Sequence, residues 1–300
     1  MSLIESTLIS FFQQYPNEDI VIAYSGGADS QVLLHALAKL KHQKILNNKI
    51  TVCHVNHGLS ENSLEWQNFA EQQAQHLGLS IKVCEVNVIP QKQHSLEELA
   101  RNSRYKALQD SSPDNALIAT GHHSDDQSET FLLALKRGAG LKGLSAMKTV
   151  LPLIAGKEVG MTNNEERLLV RPLLSLTRLD ITEYAQQHQL TWVEDESNSD
   201  VSFDRNFLRH EVMPLLQERW PSITSTINRS AEHCDEAQQL LNEVAQLDLE
   251  LCLLSKYVLS VERLNSLSKA RFNNVIRYFL TMHNALMPSA EQLKQVHTQL

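Results

Sequence analysis

The chain reads as an α/β protein with a parallel twisted sheet and helices on both faces, followed by a smaller, mainly helical second domain. Three observations predict this. From Asp19 to about Gln187, short β-branched runs alternate with stretches of helical periodicity. The segments that follow the candidate strands are unusually polar, as they are where a parallel sheet gathers a ligand beyond the carboxyl ends of its strands. From Phe207 onward the alternation stops and helical periods dominate.

The N-terminal MSLIESTLISFF carries Glu5 and has neither a basic start nor a small-residue cleavage site, and the chain holds no apolar run of membrane-spanning length. A cytoplasmic protein with no membrane contact is expected. Strands are predicted at 20–24, 50–55, 81–86 and 116–120, with helices at 30–41, 63–77, 95–109 and 124–136. Gly138 to Gly143 (GAGLKG), flanked by Lys136 and Arg137, reads as a loop facing the substrate. Residues 150–170 read as a hairpin with two short strands around Gly156 to Asn164, and Thr177 as the N-cap of a helix to Gln187. The polar segment 194–206 reads as a loop. Trp220-Pro221 marks the start of a further helix with proline in its first turn. Helices follow near 223–253, 267–282 and 289–300, with one strand-like run at 257–261. The division expected is 1–216 and 217–300.

A net charge of -8 argues against binding nucleic acid by bulk electrostatics and leaves only a local basic surface for it; Lys136, Arg137, Lys142 and Lys148 are the candidates. Four widely separated cysteines, Cys53, Cys84, Cys234 and Cys252, show no CxxC pair and read as reduced.

Ser25-Gly26-Gly27-Ala28-Asp29-Ser30 lies where the first strand hands over to a helix. Adjacent glycines let backbone amides approach an anion, Ser25 and Ser30 add hydroxyl donors, and the helix adds its positive end. Asp29 adds a carboxylate suited to Mg2+ bridging phosphates. The loop lacks the lysine of a Walker A site. After the second strand come His54 and His57, placed to line a cleft in which backbone atoms hold an adenine edge. After the fourth come Gly121, His122 and His123, then Asp125, Asp126 and Glu129, three acids that spacing puts on one helix face beside the phosphate loop. They can recognise an ammonium group, bind metal or accept a proton. The histidines lack further ligands at zinc spacing. Arg101 and Arg104 lie one turn apart on a helix with Glu97 and Glu98, where ion pairing and substrate binding are equally good readings. Arg205 and Arg209, four apart, suit phosphate recognition.

The loop SGGADS resembles that of the N-type ATP pyrophosphatases, the PP-loop ATPases of adenine nucleotide alpha hydrolase-like fold. With it, HVNHGLS at His54, ARNSRY at Ala100, ATGHHSDDQSETFLLALKRGAGLKGL at Ala119, RPLL at Arg171 and WVEDESNSDVSFDRNFLRHEVMPLL at Trp192 resemble, in order, the tRNA(Ile)-lysidine synthetases. Such enzymes use ATP to adenylate the C2 oxygen of the wobble cytidine in a CAU-anticodon isoleucine tRNA. They then attach the ε-amine of free L-lysine, releasing AMP and pyrophosphate.

The resemblance implies ATP held by Ser25, Gly26, Gly27, Asp29, Ser30, His54, His57 and Gly121, Mg2+ on Asp29, and Asp126 and Glu129 on the lysine amines. It implies Arg205 on the phosphates and Arg101, Arg104 and Arg209 on substrate. Ser60 stands where many relatives have arginine, and no phosphate contact is assigned to it. Relatives usually continue past the point corresponding to Leu300, so the tRNA-contacting second domain is expected to be incomplete at its C-terminus. A homodimer is compatible with the sequence without being specified by it. A tRNA-thiolating pyrophosphatase would need the absent CxxC pairs, and a non-catalytic RNA-binding module would not need Asp29, Asp126 and Glu129 intact.

Overall fold

The computed structural model describes residues 1–58, 60–88, 96–153, 167–283 and 285–299. A helix not anticipated from the sequence, α1 (Leu3–Phe12), opens it with a capping box: Ser2 Oγ accepts from the Glu5 amide at 3.2 Å and Glu5 accepts from the Ser2 amide at 3.0 Å. Its Ile4, Leu8 and Phe12, each four residues apart, are all buried. Then β1 (Ile20–Ala23), α2 (Ala28–His42), β2 (Ile50–Asn56), α3 (Ser63–His76), β3 (Ser80–Glu85), α4 (Leu96–Ser111), β4 (Leu117–Ala119) and α5 (Ser124–Lys136) alternate as expected.

The one-turn helix α6 (Leu141–Leu144) replaces the GAGLKG loop, because the Leu144 amide donates to Gly140 O at 3.0 Å and that of Ser145 to Leu141 O at 2.8 Å. The expected hairpin is present with its strands further apart: β5 (Val150–Pro152) pairs antiparallel with β6 (Leu168–Val170). The strands expected around Gly156 to Asn164 lie outside the described residues. Helix α7 (Arg178–Gln187) follows, capped by Thr177, whose hydroxyl accepts from the Asp180 amide at 3.2 Å.

The sheet order is β3-β2-β1-β4-β6-β5, parallel except for β5. β1 is central and buried on both faces, the reason it is a short unbroken apolar run. Ile20 and Ile22 join the core under α1, α2 and α7, while Val21 joins a second core with Leu108 of α4. This sets the carboxyl ends of β1, β2 and β4 along one edge, and chain order reverses between β1 and β4.

The segment 194–206, expected as a loop, contains a 3-10 turn at Glu196–Ser199 and runs into α8 (Asp204–Phe207). A π-helical turn (Leu208–Val212) and α9 (Met213–Arg219) continue it. The long helix α10 (Ile223–Cys252) starts after Ser222, so Pro221 lies ahead of its first turn; the Ile223 amide closes a turn onto Trp220 O at 2.9 Å.

The first half of α10 lies along α5 and α6, with Asn228 Nδ2 donating to Ser124 O at 2.9 Å. Next come β7 (Leu253–Ser255), β8 (Val258–Leu259), α11 (Val261–Asn265), α12 (Lys269–Met282) and α13 (Ala290–Gln299). The strand-like run at 257–261 is cut short because the Ser260 hydroxyl caps α11. Leu249 and Cys252 of α10 pack with Leu264, Phe272 and Val275 into a separate small core. Asp248, fully buried, is held there by Arg271.

Phe12 is fully buried where α1 meets the sheet core. Phe12→Ala is expected to lower the unfolding free energy by about 3–5 kcal/mol, read from urea titrations.

Candidate active site

Between β1 and α2 the chain must turn sharply, and Gly26 takes φ +88°, a left-handed conformation that glycine adopts without strain. A Cβ there would lie 2.7 Å from Val193 Cγ2, and Gly26 O accepts from the Val193 amide at 3.0 Å. The segment after α7 is thereby tied to the loop. Gly27 caps α2, Ser25 and Ser30 hydroxyls lie 3.1 Å apart, and Ser30 Oγ donates to Gly27 O at 2.9 Å. The first-turn amides of α2 have no earlier helical carbonyl to meet, which suits the start of this helix to an anion.

Gly121 packs against this loop from β4: a Cβ on it would lie 2.8 Å from both the carbonyl carbon and oxygen of Asp29 and 3.0 Å from the Ser30 amide nitrogen. The sequence assigned Gly121 to nucleotide contact, and the structure places it directly beneath the loop's backbone. His54 is buried, with Nδ1 3.0 Å from Tyr24 O, so its ring braces the entry to the loop. Burial lowers its pKa. His57 Nε2 accepts from Arg104 Nε at 3.3 Å, and burial, with Arg104 and His54 beside it, pushes its pKa down to about 4. Arg101 stands over the Tyr105 ring, 5.6 Å from its centroid, and is otherwise exposed.

Of the three acids expected to converge, two meet the arginines. Asp125 stays 3.6 Å from His123 Nδ1, and the same Oδ2 accepts from the Arg178 amide at 2.9 Å and so caps α7. Asp126 and Glu129, 7% and 2% exposed, meet Arg205 and Arg209. Arg209 donates from Nη2 to Asp126 Oδ1 at 2.9 Å and from Nε to Glu129 Oε1 at 2.7 Å, and Nη2 also lies 2.9 Å from Glu129 Oε2. Arg205 Nε donates to Glu129 Oε2 at 2.9 Å, and its Nη2 to Thr130 Oγ1 at 3.0 Å. The two arginines expected on phosphate thus rest on the two carboxylates expected on an amine.

The residue that joins these acids to the phosphate loop is His123, which sequence reasoning set aside as a loop histidine. Its ring is fully buried, with Nε2 3.7 Å from Asp29 and 3.5 Å from Asp126, and Nδ1 3.6 Å from Asp125. Burial alone would lower its pKa; the Asp125, Asp126 and Asp29 carboxylates outweigh that and raise it. Burial would likewise raise the Asp126 pKa, but His123, His122, Arg205 and the His123 amide, 3.0 Å from Oδ2, lower it. Asp29 goes the other way, raised by burial despite His123.

His122 accompanies these groups, its Nδ1 2.8 Å from Thr120 Oγ1, and burial pushes its pKa to about 4. Arg171 was legible only as part of the RPLL string. It is buried at the end of β6, donating from Nη1 to Lys148 O at 2.5 Å. Of the basic candidates, Lys136 pairs with Asp204 at 2.5 Å and Lys148 with Asp235 at 3.1 Å, while Arg137 and Lys142 are exposed.

All four cysteines are free, and the fold brings Cys53 and Cys84 together on neighbouring strands with Sγ atoms 3.8 Å apart. Burial pushes the Cys53 thiol up to about 12.

The PP-loop domain matches over residues 1–216 and the TilS substrate binding domain over 259–300. The chain is 40% identical to the tRNA(Ile)-lysidine synthase of Coxiella burnetii (strain RSA 493 / Nine Mile phase I) over 280 residues, 93% of this chain and 59% of that protein. The chain belongs to the PP-loop proteins and is similar to the tRNA(Ile)-lysidine synthases. It is also 40% identical to the tRNA(Ile)-lysidine synthase of Vibrio cholerae serotype O1 (strain ATCC 39315 / El Tor Inaba N16961) over 291 residues, 96% of this chain and 63% of that one. It therefore spans 59% and 63% of the length of these two relatives. Among solved structures, the U34-tRNA thiolase NcsA from Methanococcus maripaludis shares the fold at TM-score 0.60 and 15% identity, over 77% of this chain and 76% of that one. Among the described residues, no helix is long and apolar enough to cross a membrane.

Gly121→Ala is expected to push the Asp29 peptide out of place and weaken ATP binding by about tenfold or more, read by calorimetry, with the fold retained by circular dichroism; a tenfold loss is about 1.4 kcal/mol. A second expectation concerns pH. His57, with a folded pKa near 4, binds fewer protons folded than unfolded between about pH 6.5 and 4. Stability is full above that window and falls as the pH drops through it. Because the ring is only part-buried, His57→Gln should recover about 1–2 kcal/mol of the loss between pH 7 and 4.5 in urea titrations.

Proposed function

We propose that the chain carries out ATP-dependent ligation of free L-lysine to C2 of the wobble cytidine in a CAU-anticodon isoleucine tRNA, as a cytoplasmic enzyme. The cytidine C2 oxygen first takes AMP, with pyrophosphate leaving into the Ser25–Ser30 loop. The lysine ε-amine then forms the C2–N bond as AMP leaves. In this reading residues 1–216 are catalytic and 217–300 contact tRNA. The observation that carries it is the placement of Asp126 and Glu129: two buried carboxylates on α5, joined through His123 to the loop that carries Asp29.

The residues divide the work. Loop amides of Gly26 and Gly27, with Ser25 and Ser30, hold phosphate, while Gly26 leaves room for Val193 and Gly121 for the Asp29–Ser30 peptide. The backbone near His54 and His57 holds adenine. Arg205 stabilises the phosphates, and Arg101, Arg104 and Arg209 serve substrate binding.

Asp29 is the residue that would hold Mg2+. Its carboxylate is one-third exposed at the loop and burial raises its pKa, a penalty that a neighbouring cation relieves. Among the described residues no group of three His, Cys, Asp or Glu forms an all-protein cage, and Mg2+ is commonly held by one or two carboxylates with phosphate oxygens. When bound, the ion would neutralise charge between the phosphates.

Free lysine's ε-amine is protonated in all but roughly one molecule in a thousand near neutral pH. Asp126, with its lowered pKa, is ionised there, so it holds the ammonium; one proton must leave that nitrogen before its lone pair can attack C2, and Asp126 is the carboxylate in this reading that takes it. The Cys53 thiol, pushed up to about 12, and the lack of any CxxC pair disfavour a thiolation chemistry.

Labelled lysine should enter a CAU-anticodon isoleucine tRNA transcript in the presence of ATP and stay out of a wobble-substituted one; label in neither would sink the assignment. Asp126→Ala should reduce incorporation by about 100-fold or more while leaving ATP-dependent pyrophosphate release measurable, whereas Asp29→Asn should suppress both. Equal incorporation by Asp126→Ala and the unaltered chain would remove Asp126 from the lysine site.

A further inference from the structure

The carboxylates assigned to the lysine amines already have partners. Glu129 accepts from Arg209 Nε on one oxygen and from Arg205 Nε and Arg209 Nη2 on the other, so most of its acceptor capacity is used. Asp126 accepts from Arg209 Nη2 on one oxygen and from the His123 amide on the other. Both acids are buried, so an incoming ammonium group cannot meet an open carboxylate face without displacing a guanidinium.

The charges are also balanced. Two carboxylates face two guanidinium groups, and free lysine, with two ammonium groups and one carboxylate, would bring a net positive charge to carboxylates that already have cationic partners. Burial makes that addition costly.

We propose that Arg209, supported by Arg205, occupies the seat of the substrate's ammonium groups, and that a nucleotide polyphosphate opens the seat by drawing the guanidinium groups to itself. The inference rests on the lysine-ligating reading and adds an order to it: nucleotide first, lysine second. The exchange conserves charge partners, because two guanidinium groups that move onto phosphate leave two carboxylates for the two amines of lysine. Phosphate is the better partner for both arginines, offering more charge and more acceptor oxygens than one carboxylate.

Two features make the exchange mechanically plain. Arg209 lies within the π-helical turn at Leu208–Val212, where a wider, rarer hydrogen-bond pattern interrupts the helix from Asp204 to Arg219. Both guanidinium groups are partly exposed, with side-chain exposures of 30% for Arg205 and 24% for Arg209, so they can leave without breaking a core. The phosphate loop they would move toward already shares a bridge with their acceptor, since His123 stands between Asp126 and Asp29. Ordering of this kind has a chemical use: lysine enters only when an electrophile is present or about to form.

The test measures L-lysine binding by calorimetry to the full chain, alone and with saturating Mg2+ and the ATP analogue whose α–β bridge is methylene, which cannot release pyrophosphate. The expected result is a lysine Kd at least tenfold tighter with the analogue. Arg209→Gln without nucleotide should bind lysine within about threefold of the analogue-bound unaltered chain, and its nucleotide dependence should largely vanish; Arg205→Gln should shift in the same direction by less. If Arg209→Gln does not fold by circular dichroism, the two arms of the unaltered chain decide alone. A lysine Kd that is the same with and without the analogue, or one weakened by Arg209→Gln, overturns the seat. If that happens while labelled lysine still enters the tRNA transcript, the ligation reading survives and only the ordering falls. No lysine binding in either arm together with no incorporation overturns both.

Discussion

Because Gly121 has no side chain, the end of β4 can lie against the peptide between Asp29 and Ser30, closer than any Cβ would allow. That approach sets the distance between the first turn of α2 and the first turn of α5, and the site is built across it. His123 follows two residues later with its ring already inside, flanked by Asp29 from one helix and Asp125 and Asp126 from the other. A buried imidazole among three carboxylates keeps them near one another without requiring them to touch, so their mutual repulsion does not open the cleft. A wider gap at Gly121 would separate the Ser25–Ser30 loop from Asp126 and Glu129.

The rest of the chain supports this contact from outside. Val193 presses on Gly26 and bonds to its carbonyl, so the segment leading to α8 is attached to the phosphate loop before it delivers Arg205 and Arg209 to α5. Asp125 caps α7, which packs on α2. Asn228 of α10 bonds to the first carbonyl of α5. Three elements from distant parts of the sequence therefore converge on the amino end of a single helix. The mostly helical C-terminal part is joined to α5 and α6 through α10, and has its own small core about Phe272.

Much of this architecture is legible in the sequence, and the features that are not have physical reasons. The strands and helices from β1 to α5 follow from periodicity because each buries a continuous apolar face. Helix α1 escaped notice although Ser2 and Glu5 carry a capping signature and Ile4, Leu8 and Phe12 share a face. The strands read around Gly156 to Asn164 lie outside the described residues, and β6, only three residues long, gains its strand identity by pairing with β4. Asp125, Asp126 and Glu129 looked alike as acids at a helix start; only the position of α7 turned Asp125 into a cap. His123 carried no signal of its own, because its environment comes from residues nearly a hundred positions apart.

The sequence by itself determined the phosphate loop, the class of fold and the residue types at the site, because these depend on local conformation: a glycine turn at a strand end, a helix that follows, acids in a first turn. Only the tertiary structure decided which charges meet. Arg205 and Arg209 were expected on phosphate and stand on Glu129 and Asp126, some eighty residues earlier in the chain. Pairing of that kind is set by the path of α8 past α5 and by the low-dielectric setting that makes an unpaired buried charge costly, and neither is written in any short stretch of sequence.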